Sequence, residues 1–370
     1  MSEWQVYIHI NRLSENWGQG QPPTGNLVPV KAVAKTRPEP GLELIETKEP
    51  TVLPGHVKIE VQAASICGTD LHIFEWDEWS SGRMKPPTIV GHEFCGRVIE
   101  VGAGVEGLKA GDYVASESHI VCGKCKQCQL GQGHVCINTK LLGIDVDGGF
   151  RRIAVVPAET MRPTPETVPP HVACVQDPLG NAVHTVMEGP VEGQTILITG
   201  LGPIGLFAVA VCKALGAAKI IGTEVNPLRM DLARELGIDD VLDARDSNLA
   251  EQILSKNPGG VDGVLEMSGH PSALGLAVRV VRPGGRISLL GIFAESKQTL
   301  PLNDLIFKGV VVQPIVGRKI WQTWEQMGDL LKNRGLNIEP VITHRLPFED
   351  FAEGFDLLRS GKAGKVVLEF

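Results

Sequence analysis

Thr195-Ile-Leu-Ile-Thr-Gly-Leu-Gly-Pro-Ile-Gly205 reads as a strand, a glycine turn and the first turn of a helix. Thr195 to Thr199 is an unbroken apolar and β-branched run, the pattern of a strand covered on both faces. The spacing Gly200-x-Gly202-x-x-Gly205 follows at once, and a helix is predicted over Ile204 to Leu215. Such a spacing occurs by chance in loops, but between a strand and a helix each glycine has a physical task. Gly200 permits a tight turn, Gly202 lets a pyrophosphate approach the backbone, and Gly205 lets helix and strand pack closely. Ile204 lies in the first turn of the helix, whose free N–H groups and dipole favour phosphate.

Strand and helix keep alternating downstream. Strands are predicted at Lys219 to Glu224, Gly263 to Met267, Arg286 to Leu290 and Val310 to Gln313, with helices at Pro227 to Leu236 and Ala273 to Val281. That alternation implies an α/β doubly wound parallel sheet covered on both faces. Glu224 closes the second strand, where a carboxylate can accept hydrogen bonds from both ribose hydroxyls and would repel a 2′-phosphate, so NAD is expected rather than NADP. Arg229 is the competing residue: its guanidinium could welcome that phosphate, stack on the adenine, or simply face solvent.

Upstream, from Val30 to about Val175, short β-rich runs at Val57 to Val61, Cys95 to Val101, Tyr113 to Ser116 and Ile153 to Val156 alternate with Gly and Pro turns. This predicts a compact, mostly antiparallel domain. After Gly317 the pattern is mixed again, and Gly364-Lys-Val-Val-Leu-Glu-Phe370 is expected to rejoin the first domain. The expected division is an extension at 1–29, a catalytic domain at 30–176 with 318–370, and a dinucleotide-binding domain at 177–317. A chain of 370 residues suits two domains, and 43% apolar residues suffice to fill them.

Cys122-x2-Cys125-x2-Cys128-x7-Cys136 places four thiols on one loop, the spacing of a tetrahedral soft-metal site. All four positions are filled, so a structural zinc is expected; the last gap is too long for a ferredoxin run and no proline follows it. Cys95, Cys174 and Cys212 read as small core residues. The net charge of −8 is not gathered into a basic stripe, so nucleic acid is not an expected partner. No apolar run approaches a membrane span, and Met1 to Asn16 lacks the basic start and apolar stretch of a secretory signal. Thiols committed to metal point to a reducing cytoplasm.

A second, mixed set is spread over Cys67-Gly-Thr69-Asp-Leu-His72, placed in a loop after the strand around Val61, and Gly91-His92-Glu93. Thiolate, imidazole and carboxylate together suit zinc with one exchangeable position. These residues carry a resemblance. From Val30 to Phe370 the chain resembles the zinc-containing medium-chain alcohol dehydrogenases. The similarity is carried by Ile66-Cys-Gly-Thr-Asp-Leu-His-Ile-Phe-Glu-Trp-Asp-Glu-Trp79, Asp177-Pro-Leu-Gly-Asn-Ala-Val-His184, Glu266-Met-Ser-Gly269, and the tail from Ile342-Thr-His-Arg345 to Gly361-Lys-Ala-Gly-Lys365. The Trp76/Trp79 loop is similar to the branch that oxidises L-threonine, since polyol dehydrogenases usually differ there.

What the resemblance implies is specific. The first domain should be GroES-like and the second a Rossmann domain. Cys67, His92 and Glu93 would hold a catalytic zinc, making two zinc ions per chain, while Asp177 would be either a ligand or a group that tunes the zinc from behind; an N-cap role before Pro178 is the plainer alternative. Thr69 and His72 are read as a proton relay, because a Lewis acid beside the substrate hydroxyl lets it ionise near neutral pH and histidine can deliver the proton to solvent. Leu290, Gly291, Ile292, Ile315 and Val316 would meet the nicotinamide half. His119 matches a position linked to substrate choice, Glu75, Asp77 and Glu78 are candidates for the substrate ammonium, and Arg318 for its carboxylate or the cofactor. His184 is read as structural. The implied activity is oxidation of L-threonine to L-2-amino-3-oxobutanoate by a homotetramer. A polyol or 2,3-butanediol dehydrogenase is the alternative within the class, and a non-catalytic NAD-binding protein the alternative outside it.

Overall fold

The structure is a computed structural model that describes residues 29–370. The extension expected at 1–29 lies outside the described residues save for Pro29.

The chain opens with β1 (Val30–Lys35), β2 (Glu43–Thr47) and the long β3 (His56–Ile66), which leads into the helices α1 (Gly68–Glu75) and α2 (Glu78–Arg83). Then come β4 (Thr88–Ile89), β5 (Glu93–Val101), β6 (Tyr113–Ser116), β7 (Ile153–Pro157) and β8 (Met161–Pro163). Burial along β3 alternates in its first half and becomes continuous in its second, as a strand does when it passes from a half-wet face into the core. Antiparallel partners flank β3: β5 with Ser65 opposite Glu93, and β7. Gly96 is required where β5 crosses β3, since a Cβ there would stand 2.1 Å from the Glu60 carbonyl oxygen.

A helix α3 (Gln176–Met187) carries the chain into the second unit. There β9 (Thr195–Thr199), α4 (Pro203–Ala214), β10 (Lys219–Glu224), α5 (Pro227–Glu235), β11 (Asp240–Asp243), β12 (Val261–Glu266), α6 (Pro271–Val280), β13 (Val281–Leu289), α7 (Leu302–Lys308) and β14 (Val311–Pro314) follow. The six strands form one parallel sheet in the order β11-β10-β9-β12-β13-β14. Ile196, Leu197 and Ile198 are fully buried at its centre, so the quoted run is covered on both faces as its composition predicts. Strand order reverses between β9 and β12, which opens a crevice at their carboxyl ends. The fold is the expected pairing of a GroES-like, mostly antiparallel domain with a Rossmann sheet.

The tail returns. β15 (Ile342–Pro347), α8 (Phe351–Arg359) and β16 (Lys365–Glu369) complete the chain, and β16 runs antiparallel to β3 with Leu368 opposite Ala64. Phe351 and Phe355 anchor α8 in the same core as Ile59, Phe94 and Val366. This return brings Lys365 to the residues at the start of β5.

A candidate zinc and dinucleotide site

The motif placed in a loop by its sequence begins a helix instead. Cys67 is the N-cap of α1, and Asp70, three residues on, accepts the Cys67 N–H at 2.9 Å, closing a capping box. This presents the thiol at the end of β3. His92 and Glu93 come from the adjoining edge of β5, and the ligand atoms of Cys67, His92 and Glu93 all lie within 4.8 Å of one another. The Glu93 carboxylate is divided: Oε2 accepts from Ser65 Oγ and from Lys365 Nζ, while Oε1 is buried with no partner among the described residues. His92 turns Nδ1 toward Asp70 Oδ1 at 3.6 Å, leaving its other nitrogen for the cluster.

Burial alone would push His92 down, but Asp70, Cys67 and Glu93 outweigh it and raise its pKa to about 10. A converging set of groups that favours a proton in this way also suits a cation in its place. Zinc therefore fits Cys67, His92 and Glu93 by donor type, by convergence and by the bare Oε1. Asp70 behind His92 and Lys365 and Ser65 behind Glu93 orient the ligands. The sequence reading missed these three. Only Asp70 had a local signal, the capping-box spacing; Lys365 and Ser65 reach the site through strand pairing.

Asp177, in the first turn of α3, does not join the converging set. Its Oδ1 accepts from the Ser118 N–H at 2.9 Å and forms an ion pair with Arg318 Nη2 at 2.7 Å. It is not an N-cap either, since Val175 holds that position. Arg318 is 1% exposed, and its donors are fully engaged. Nε and Nη2 grip Glu117 at 2.7 and 2.5 Å, and Nη1 reaches the Asp177 carbonyl and Asn181 Oδ1 at 3.1 and 2.9 Å. The expectation that Arg318 binds a substrate carboxylate is therefore corrected: it knits α3 to the end of β6. Glu117, unforeseen in the sequence, is the other half of that knot. Trp324 Nε1 donates to it at 2.7 Å, and His119 meets it through Nδ1 at 2.8 Å. His119 is thus a partly exposed imidazole fixed on its inner side by buried charge. His184 is buried in α3 and bonds the Gly317 carbonyl at 2.9 Å, a structural place as read.

Cys122, Cys125, Cys128 and Cys136 also converge within 4.8 Å. Cys125 Sγ stands 3.5 Å from Cys128 Sγ and 3.8 Å from Cys136 Sγ, far beyond a disulfide bond of about 2.05 Å. The Asn138 side-chain amide and backbone N–H groups pull the Cys122 thiol down to about 6, toward the thiolate a metal requires. The set fits a closed tetrahedral zinc.

On the sheet side, Gly200, Gly202, Glu224, Arg229, Arg245, Met267 and their neighbours line a cavity of about 730 Å³ at the crevice. Gly200 sits at φ +84°, and a Cβ there would strike Ser268. A Cβ on Gly205 would stand 2.1 Å from the Gly200 carbonyl oxygen, whereas one on Gly202 would meet nothing and point into open space. That opening at a helix N-terminus is the cradle a pyrophosphate needs. Ile204 lies in the first turn of α4. Glu224 is held by the Leu201, Val225 and Asn226 N–H groups at 2.9, 2.8 and 3.1 Å, and Arg229 Nη1 approaches it at 3.9 Å. Leu290, Gly291 and Ile292 follow β13 and Ile315 and Val316 follow β14, at the same end of the sheet. On α1, Thr69 is half-buried and His72 exposed, one helical turn apart. His72 also lines a second cavity of about 760 Å³ between α1 and α8.

Residues 53–166 match the alcohol dehydrogenase GroES-like domain and residues 203–333 the zinc-binding dehydrogenase family. The chain belongs to the zinc-binding dehydrogenases. Among its relatives is the L-threonine 3-dehydrogenase of Pyrococcus furiosus, 49% identical over 91% of this chain and 97% of that one. The L-threonine 3-dehydrogenase of Bacillus licheniformis is 45% identical over 92% and 98%. A solved alcohol dehydrogenase from E. coli CFT073, complexed with NADH, superposes with a TM-score of 0.84 at 30% identity, covering 92% of this chain and 99% of that one.

Proposed function

We propose that this enzyme oxidises L-threonine at its hydroxyl carbon to L-2-amino-3-oxobutanoate and reduces NAD to NADH. The observation that carries the reading is the 49% identity to a threonine dehydrogenase over 91% of the chain, together with the Cys67, His92 and Glu93 set. Those three residues would hold a catalytic zinc, and Cys122, Cys125, Cys128 and Cys136 would hold a structural one. When bound, zinc supplies a Lewis acid that acidifies the substrate hydroxyl and NAD supplies the hydride acceptor. Thr69 Oγ1 takes up the hydroxyl proton as it gives its own toward His72, and His72 releases a proton to the cavity beside α1. The gradient from half-buried Thr69 to exposed His72 supports that direction. Asp177 acts from behind the ligands. His119 is the substrate-facing imidazole, with Nδ1 fixed by Glu117.

Gly200, Gly202, Ile204 and Gly205 receive the pyrophosphate, and Glu224 the adenosine ribose. Three N–H bonds hold the Glu224 carboxylate in place, which supports NAD over NADP. Arg229 faces the adenine side, and Leu290, Gly291, Ile292, Ile315 and Val316 the nicotinamide. The working division is 30–176 with 318–370 for catalysis and 177–317 for the cofactor. None of the helices among the described residues is long and apolar enough to cross a membrane, and with metal-bound thiols the reading is a cytoplasmic enzyme. A homotetramer is supported by the open edge strand β14 with Val311 60% exposed and by Phe307 on α7 at 87%. A monomeric mass by light scattering would refute it.

The test of the activity is NADH formation by zinc-loaded protein with L-threonine beside 2,3-butanediol and sorbitol. Clear preference for threonine is expected. Preference for a diol would keep the zinc and cofactor assignments and overturn the substrate.

A further inference from the structure

His72 does not stand alone at the exposed end of the relay. Its Nδ1 lies 2.6 Å from Asp77 Oδ2, and its ring packs edge-on to Trp79 with centroids 6.1 Å apart. Asp77 is itself fixed. As the N-cap of α2 it accepts the Ser80 N–H on Oδ1 at 2.9 Å, and Ser80 Oγ donates back to the His72 carbonyl at 2.9 Å. The acidic run of Glu75, Asp77 and Glu78, candidates for the substrate ammonium, thus turns one carboxylate onto the imidazole. We propose that Asp77 is a positioning residue of the proton relay, holding the His72 ring through Nδ1–H so that Nε2 is the nitrogen that accepts and releases the proton. The inference rests on the relay role given to His72 above.

The chemistry is that of a carboxylate–imidazole pair. Nδ1–H donates to Asp77, which selects the tautomer with a free lone pair on Nε2. When Nε2 takes up the relayed proton, the imidazolium is stabilised by Asp77, which stays ionised; Nε2 then loses that proton to water in the cavity between α1 and α8. The Ser80 N–H, joined by the His72 hydrogen bond, keeps the Asp77 carboxyl below its usual range against the opposing effect of burial. The other charged groups around the ring are Glu75 on α1 and Asp356 and Arg359 on α8, which share the cavity with His72. Arg359 is turned to Glu75 at 3.7 Å and to Asp356 at 3.5 Å, so Asp77 is the one charge in direct hydrogen-bond contact with the imidazole among the described residues.

Two variants of the full, zinc-loaded chain separate this role from helix capping. Asp77→Asn keeps the cap and the shape but removes the charge; Asp77→Ser keeps the cap but is too short to reach the ring. The pH profile of kcat is measured for both, beside His72→Ala and the Asp77→Ser/His72→Ala double variant. The expected result is an acid limb shifted about half a unit to one unit lower in Asp77→Asn, and kcat about 3- to 10-fold lower in Asp77→Ser. KM for threonine and NAD should stay unchanged, and the double variant should be no slower than His72→Ala. Wild-type profiles in both Asp77 variants, with His72→Ala strongly impaired, would overturn the inference and leave the relay standing. Unimpaired His72→Ala would remove the relay and the inference together.

Discussion

In a dry interior a carboxylate with one oxygen doubly bonded and the other bare is incomplete, and Glu93 is in that state. A buried acceptor left unsatisfied costs about 1–3 kcal/mol and more when charged, and a cation held with Cys67 and His92 would satisfy it. Residue type suggested a mixed zinc-binding set, and the resemblance nominated Cys67, His92 and Glu93 within it. They were not enough to rank Asp177, because carboxylates look alike in a sequence and only their hydrogen bonds tell them apart. Asp177 spends Oδ1 on Ser118 and Arg318, so Asp177→Asn is expected to retain both zinc ions of the two clusters. Turnover should fall about 10-fold, as for other residues that support ligands from behind. Elemental analysis decides it: loss of one zinc would make Asp177 a ligand.

At the scale of elements, the turn from β9 to α4 separates two uses of glycine that the sequence writes with the same letter. Gly205 is a packing glycine, since its Cβ would collide with the Gly200 carbonyl oxygen at 2.1 Å, and Gly202 is a docking glycine with open space before it. Gly205→Ala should therefore lower the unfolding temperature of the cofactor-free enzyme, by roughly 1–3 kcal/mol in stability. Gly202→Ala should leave that temperature unchanged and weaken NAD binding about tenfold or more. Thermal unfolding without cofactor and an NAD titration check the pair; equal unfolding losses would erase the distinction. Strand limits such as Thr195 to Thr199 and Lys219 to Glu224 were legible because a doubly covered strand is a local apolar run. Helix α1 was not, because its motif is short and polar and its start depends on the Asp70 side chain closing back on Cys67.

For the whole molecule, the Glu117–Arg318 pair ties β6, α3 and the chain after β14 into one body, across 201 residues of sequence. Burial would raise Glu117, but Arg318 more than offsets it and holds the carboxyl far below its ordinary pKa of 4.5. A carboxyl depressed on folding stabilises fully above its unfolded value and loses that contribution as pH falls toward the folded one. Wild-type stability should thus decline steeply below about pH 4.5, and Glu117→Gln should show a shallower acid slope. At neutral pH the variant should be less stable by about 1–3 kcal/mol, because it removes one of the two carboxylates that pair with buried Arg318 and leaves Asp177 as the other. Urea unfolding at a series of pH values is the measurement, and parallel pH curves would show the pair to be energetically idle.

What the sequence by itself determined was whatever depends on near neighbours along the chain. The βαβ alternation, the phosphate turn and the four-cysteine loop all act over a few residues, so composition and period expose them. The tertiary structure alone decided which groups stand behind them. Lys365 reaches Glu93 because β16 returns to β3, Arg318 is consumed by Glu117 instead of being free for substrate, and Asp77 turns onto His72 instead of a substrate ammonium. Each of these depends on the register of distant strands or the cap of a short helix. Burial and pairing at such points are set by the whole fold, and no local pattern of residues encodes them.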